Sequence, residues 1–200
     1  MSIRTVTVYA ASSQALDPVY VDAASRLGTV LGRQGYRVVY GGGGHGLMGA
    51  MADAALAAGG EVHGIIPEFL NQVERGHHGL TSLEVVADMR TRKARMLEGS
   101  DAVIALPGGC GTFEELFEAM TLKRLGQFLG PILLINTNEY YHTLLEFLRH
   151  SVDEHFMNRT HLDMWQTVAQ PEDAPAALGN AAPWSSRTAL ETAAVQRRGS

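Results

Sequence analysis

Along the chain, short apolar runs alternate with longer stretches in which apolar side chains recur at every third or fourth position. The runs "IRTVTVYA" (3–10), "YRVVYG" (36–41), "EVHGIIP" (61–67), "LEVVA" (83–87), "DAVIALP" (101–107), "PILLINT" (131–137) and "WQTVAQ" (165–170) have strand length, and most are rich in β-branched residues. Residues 17–35 predict a helix with Asp17 as N-cap, Pro18 in the first turn and Gly35 just past the end. Residues 47–60, 89–100, 113–125 and 139–157 predict further helices, the last with Tyr141, Leu144, Leu145, Leu148 and Val152 as its apolar positions. Residues 68–82 are polar and irregular and read as a helical turn with a surface loop. Strands and helices alternating at this spacing imply right-handed β-α-β crossovers. The expected fold is therefore α/β: a doubly wound, Rossmann-like domain with a mostly parallel sheet and helices on both faces. From about Pro171 the chain turns rich in Ala, Pro and Ser, so residues 1–180 are expected to form the domain and 181–200 a flexible C-terminal tail.

In such a sheet, ligands sit outside the carboxyl ends of the strands, where the strand order reverses. Three small-residue loops follow strands: "AASS" (10–13), "GGGGHG" (41–46) and "PGGCGT" (107–112). In the second, Gly41, Gly43 and Gly46 satisfy G-x-G-x-x-G, but the loop follows the second strand and no acidic residue ends a strand about 20 residues on. Two readings stand level there: a tight turn with close helix–strand packing, and an approach for phosphate or ribose. The third loop is more specific, because its N–H groups precede a helix N-terminus, which attracts an anion. It lacks the G-K-[ST] ending of a P-loop. Thr112 and Glu115 have the T-x-x-E spacing of a capping box, in which Glu115 would only bond back to the Thr112 N–H. On spacing alone that structural role is the stronger. "MRTRKARM" gathers Arg90, Arg92, Lys93 and Arg95; a solvated basic face is the plain reading, weakened by the scarcity of lysine elsewhere and by the strand-end location. His63, His77 and His78 lack metal spacing or an acidic partner in register and read as loop histidines, and Cys110 as a small side chain fitting a tight loop.

Composition narrows the partners. The 200 residues are 46% apolar and 18% charged, enough for one real core. A net charge of −5, with Lys93 and Lys123 as the only lysines and no basic block, argues against a nucleic-acid partner. The single cysteine excludes an intrachain disulfide and suits a reducing cytoplasm. No apolar window reaches membrane-spanning length, so a cytoplasmic protein without a membrane partner is expected.

Taken in order, "YGGGGHGLMGAMADAAL", "GIIPEFL", "MRTRKARM" and "LPGGCGTFEELFEAMT" resemble the LOG (Lonely Guy) family of cytokinin riboside 5′-monophosphate phosphoribohydrolases, often mislabelled as lysine decarboxylases. The resemblance spans roughly residues 3 to 157. It implies a homodimer that splits the N-glycosidic bond of a nucleoside 5′-monophosphate into free base and ribose 5-phosphate, with no cofactor and no metal. Carried over by position, Arg92 and Glu115 match the catalytic pair, and Gly108, Gly109, Gly111 and Thr112 the phosphate cradle, with Cys110 among them. Glu74, Lys93 and Thr121 match further substrate-binding positions, and Ser12 and Gly43 join them from the neighbouring strand-end loops. Leu116, Phe117, Met120 and Leu125 are expected to supply apolar surface for the dimer.

Two departures bear on base preference. Where the family usually has M-H-E-R-K, this chain has Met89-Arg90-Thr91-Arg92-Lys93, and where it usually has C-G-S-S, this chain has Ala10-Ala11-Ser12-Ser13. The chemistry suits the residues. Glycosidic cleavage passes through an oxocarbenium-like state that a carboxylate stabilises. Arginine, with a pKa above about 12, does electrostatic and orienting work rather than acid catalysis. The alternatives are an AMP nucleosidase without a cytokinin role and a non-catalytic nucleotide-like carrier resembling molybdenum-cofactor carriers. A pyridoxal-phosphate decarboxylase is rejected, because neither Lys93 nor Lys123 lies in a recognisable cofactor motif.

Overall fold

The computed structural model describes residues 3–74 and 76–192, apart from the Glu74 side chain. Its strands are β1 (Thr5–Tyr9), β2 (Arg37–Tyr40), β3 (Glu61–Pro67), β4 (Ser82–Val86), β5 (Ala102–Ala105), β6 (Ile132–Ile135) and β7 (Trp165–Val168). All pair in parallel, in the order β4-β3-β2-β1-β5-β6-β7. The helices are α1 (Pro18–Arg33), α2 (Gly46–Ala57), α3 (Glu68–Glu74), α4 (Met89–Leu97), α5 (Cys110–Arg124), α6 (His142–Asp153), α7 (Ala174–Gly179) and α8 (Ser186–Thr192). The doubly wound α/β reading is therefore correct.

Side chains alternate across a strand, so the apolar runs feed two cores. Val6, Val8, Val38, Tyr40 and Ile104 pack with Leu27, Leu31, Met51 and Ala55 of α1 and α2. Tyr9, Val39, Val103, Ala105 and Leu134 pack on the other face with Leu116, Ala119 and Met120 of α5. Burial on both faces is why these strands read as continuous apolar runs. Leu116 and Met120 thus belong to the chain's own core, and of the four residues expected to offer dimer surface only Phe117 and Leu125 are exposed.

Strand β1 lies between β2 and β5, with Val8 opposite Tyr40 on one side and Ile104 on the other. The strand order reverses at β1/β5, and the loops after these strands flank the crevice. Helix α1 starts as the sequence predicts, with the Asp17 carboxylate accepting from the Val19 N–H at 3.0 Å, and Gly35 follows its end at φ 72°.

Three local expectations change. His63 lies within β3, and its Nδ1 is 2.6 Å from Ser82 Oγ. His77 has an acidic partner after all: its Nδ1 accepts from the Gly79 N–H at 3.0 Å, so Nε2 donates to Asp53 at 2.8 Å. Asp53 sits on α2, 24 residues upstream, beyond any local spacing. The tail expected from residue 181 is not loose over its described part. Trp184 is buried and its indole N–H donates to Lys123 O at 2.8 Å, while the His161 ring donates to Thr192 O at 3.0 Å. One aromatic anchor outweighs a composition that otherwise favours disorder; residues 193–200 lie outside the described residues.

Candidate functional site

The start of helix α5 removes the capping role that spacing offers Glu115. Helix α5 begins at Cys110, with Gly109 as N-cap and no side-chain cap. Thr112 is then the helix's third residue and Glu115 its sixth, so no capping box forms. The first helix bond is Phe113 N–H to Gly109 O at 3.0 Å. The amides of Cys110, Gly111 and Thr112 precede it and have no acceptor among the described residues, as expected of a first turn. A methyl group on Gly108 would sit 2.1 Å from Thr112 Oγ1, so only glycine lets Thr112 fold against the loop.

The "GGGGHG" loop differs. Ala11 O accepts from both Leu47 N–H at 2.9 Å and Met48 N–H at 3.2 Å, which uses up donors at the α2 N-terminus. The close-packing reading of that loop is the one this geometry supports. Gly41 shows what the packing is for. A methyl group on it would sit 1.9 Å from Nη2 of Arg92.

Arg92 stands on α4, whose N-cap Asp88 accepts from the Thr91 N–H at 2.7 Å. Its guanidinium is fixed by backbone carbonyls at the ends of two strands: Nε donates to Ile65 O at 3.1 Å and Nη2 to Gly41 O at 2.9 Å. Nη1 lies 3.9 Å from Glu115 Oε1, with Met89 Sδ at 3.7 Å as its other neighbour. Arg92 is 8% exposed and Glu115 7%, so the pair meets in a poorly hydrated crevice. Burial pushes the Glu115 carboxyl up to about 7, with Arg92 and Lys93 opposing the rise and Glu114 and Glu118 adding to it. Burial, reinforced by Glu115, also raises Tyr9 well above its ordinary value, keeping that phenol protonated.

The remaining expected residues divide. Lys93 is gripped by Glu114 and by Glu118, the latter at 3.1 Å, and the Glu114 bond heads the causes that raise its pKa. Ser12 and Gly43 line a depression of about 300 Å³ with Gln14, Gly44, His45 and Val73. Thr121 stands apart, lining an apolar groove with Phe117, Met120 and Leu148 rather than joining Arg92 and Glu115. Glu74 ends α3, and its side chain lies outside the described residues.

Sequence reasoning missed four contributors. Gly41 was one glycine among four. Tyr9 looked like an ordinary strand residue. Tyr140 and Tyr141 read as the start of a helix, whereas their hydroxyls donate to Gly108 O at 2.5 Å and Leu106 O at 2.6 Å. The adjacent tyrosines between a strand end and an amphipathic helix were the available signal.

Residues 48–178 match the family described as "possible lysine decarboxylase". A cytokinin riboside 5′-monophosphate phosphoribohydrolase of Rhodococcoides fascians is 46% identical over 155 residues, covering 77% of this chain and 78% of that protein. One from Arabidopsis thaliana is 39% identical over 188 residues, covering 94% of this chain and 87% of its own length. Among solved structures, the molybdenum cofactor carrier protein of Chlamydomonas reinhardtii superposes with a TM-score of 0.68 at 18% identity, over 89% of this chain and 97% of that one. At that identity it speaks for the fold alone.

Proposed function

The chain belongs to the LOG-type phosphoribohydrolase family, and from that premise we propose that the β1/β5 crevice hydrolyses the N-glycosidic bond of a nucleoside 5′-monophosphate, with Arg92 and Glu115 as its catalytic pair. The products are the free base and ribose 5-phosphate. The observation that carries the assignment of residues is the buried Arg92–Glu115 pair, held 3.9 Å apart beside a helix N-terminus with open donors.

The 5′-phosphate sits on the amides of Cys110, Gly111 and Thr112, where orphan donors and the helix dipole act together. That binding, remote from the bond being broken, sets the ribose against Glu115. The ionised Glu115 carboxylate faces the positive charge that develops on the sugar, and it orients or deprotonates the attacking water. Arg92 supports the departing base. Its Nη1 keeps donor capacity because the two carbonyl bonds engage Nε and Nη2 instead. Immobile donors of this kind cost no reorganisation when charge develops. Ser12 and Gly43 border the depression that offers space for the base. Lys93 acts through Glu114 and Glu118, offsetting negative charge around Glu115.

The family's dimer is part of this reading. Exposed Phe117, Leu125 and Phe156 supply apolar surface, and light scattering at micromolar concentration is expected to give twice the chain mass.

Chromatographic detection of free base tests the function. AMP and isopentenyladenosine monophosphate are both expected to release base. Charge-assisted hydrogen bonds contribute roughly 1.5–3 kcal/mol each, so losing several should lower kcat/KM for adenosine by orders of magnitude. Equal kcat/KM for AMP and adenosine would refute the phosphate cradle, and no release from any monophosphate would refute the activity.

A further inference from the structure

We propose that Tyr140 is a positioning residue for the phosphate-holding loop: its hydroxyl, bonded to Gly108 O, orients the 108–109 peptide so that the Gly109 N–H joins the donors facing the 5′-phosphate. This rests on the function proposed above and adds a residue that the sequence resemblance did not assign.

Strand β6 ends at Ile135, and Asn136 follows it. Asn136 ties its N–H to Val168 O at 2.8 Å and accepts the Tyr141 N–H on its side chain at 2.7 Å. Between these bonds the chain passes through Asn138 at φ 51° and Glu139 at φ 56°. Two consecutive non-glycine residues in the left-handed region are uncommon, and such a conformation persists only where its surroundings hold it. The turn delivers Tyr140 and Tyr141 side by side against the loop after β5. Tyr141 binds Leu106 O and Tyr140 binds Gly108 O, so the two hydroxyls hold the carbonyls on either side of Pro107. Proline has no N–H, so that segment is held by these two carbonyls together with the Leu106 N–H, which donates to Tyr9 O at 2.9 Å.

A trans peptide carries its carbonyl and the following N–H on opposite sides. No peptide bond among the described residues is cis. Tying Gly108 O to Tyr140 therefore turns the Gly109 N–H away from the tyrosines. On Gly109 a methyl group would meet nothing within 4 Å, so the loop is open there to a ligand.

The hydroxyl is preset by its ring. Tyr140 stacks on Phe113 with ring centres 6.5 Å apart and planes 10° from parallel, and meets Tyr20 edge-on at 5.9 Å. Burial raises its hydroxyl above the ordinary value and keeps it a donor. Yet Tyr140 is 38% exposed, so it is no core plug.

Tyr140→Phe keeps the ring and removes the donor. Loss of one such bond is expected to raise KM for AMP and the calorimetric Kd for ribose 5-phosphate about 3- to 10-fold, with kcat held within about twofold and adenine affinity unchanged. Phe113→Leu loosens the stack but keeps the donor, and is expected to lower Tm more and ribose 5-phosphate affinity less than Tyr140→Phe. Unchanged ribose 5-phosphate affinity in Tyr140→Phe, or a loss shared equally with adenine, overturns the positioning role while leaving the proposed function standing. Wild-type protein that neither binds ribose 5-phosphate nor cleaves AMP overturns both.

Discussion

Replacing Glu115 with glutamine should make the protein more stable and nearly inactive at the same time, and the size of each effect follows from the geometry. The carboxyl lies in a crevice that moves its pKa from 4.5 to about 7, with burial as the largest cause. Between those values the folded chain holds a proton that the unfolded chain has released. The associated stability is fully present below pH 4.5 and is lost as pH rises through about 7. At about 1.4 kcal/mol per pH unit, ionised Glu115 costs the fold about 3 kcal/mol at pH 8. Glutamine has the shape of the protonated acid and escapes this cost, while Arg92 keeps both carbonyl bonds. Thermal melts should therefore show Glu115→Gln about 6–12 °C above wild type at pH 8, at about 2–4 °C per kcal/mol for a chain of this size, and near wild type at pH 4.5. Turnover of AMP should fall at least about 10²-fold, because the charge facing the oxocarbenium-like state is gone. Glu114→Gln, which removes a surface partner of Lys93, should change turnover far less. A Glu115→Gln protein that melts below wild type at pH 8 and releases base at the wild-type rate would refute the argument.

The same ionisation governs activity: kcat/KM for AMP should fall about tenfold per unit as pH drops below about 7 and level off above it, and a profile flat from pH 5 to 8 would contradict a working carboxylate. Gly41→Ala, which sets a methyl group against Nη2 of Arg92, should cut kcat/KM about 10²-fold by displacing the guanidinium. Kinetics matching wild type would show that Arg92 does not need this seat.

The fold was largely legible because the central strands are short and apolar, and because Asp17, Pro18 and Gly35 punctuate α1 as capping chemistry requires. The geometry of the candidate site was legible where it is local in sequence, as in the loop from Gly108 to Thr112, which does open a helix with first-turn amides unpaired among the described residues. Elsewhere it was not. Spacing made Glu115 the partner of Thr112 in a capping box, but the N-cap is Gly109, three residues before Thr112, and burial beside Arg92 became visible only once α4 and α5 were placed. His77 finds Asp53 and Tyr140 finds Gly108 across 24 and 32 residues, contacts that no periodicity encodes. Trp184 shows the converse error, in which an average over a segment hides a large side chain that docks it.

The two short hydrogen bonds that seat Arg92 go to main-chain carbonyls, Ile65 O and Gly41 O, while its side-chain neighbours Met89 and Glu115 lie farther off at 3.7 and 3.9 Å. Gly41 cannot be enlarged without moving the guanidinium, but exchanging the side chains of Arg90, Thr91, Ala10 or Ala11 withdraws none of the bonds that aim it. Under the proposed function, those four positions are the ones a designer could vary in search of another nucleobase while leaving the carbonyl seat of Arg92 in register.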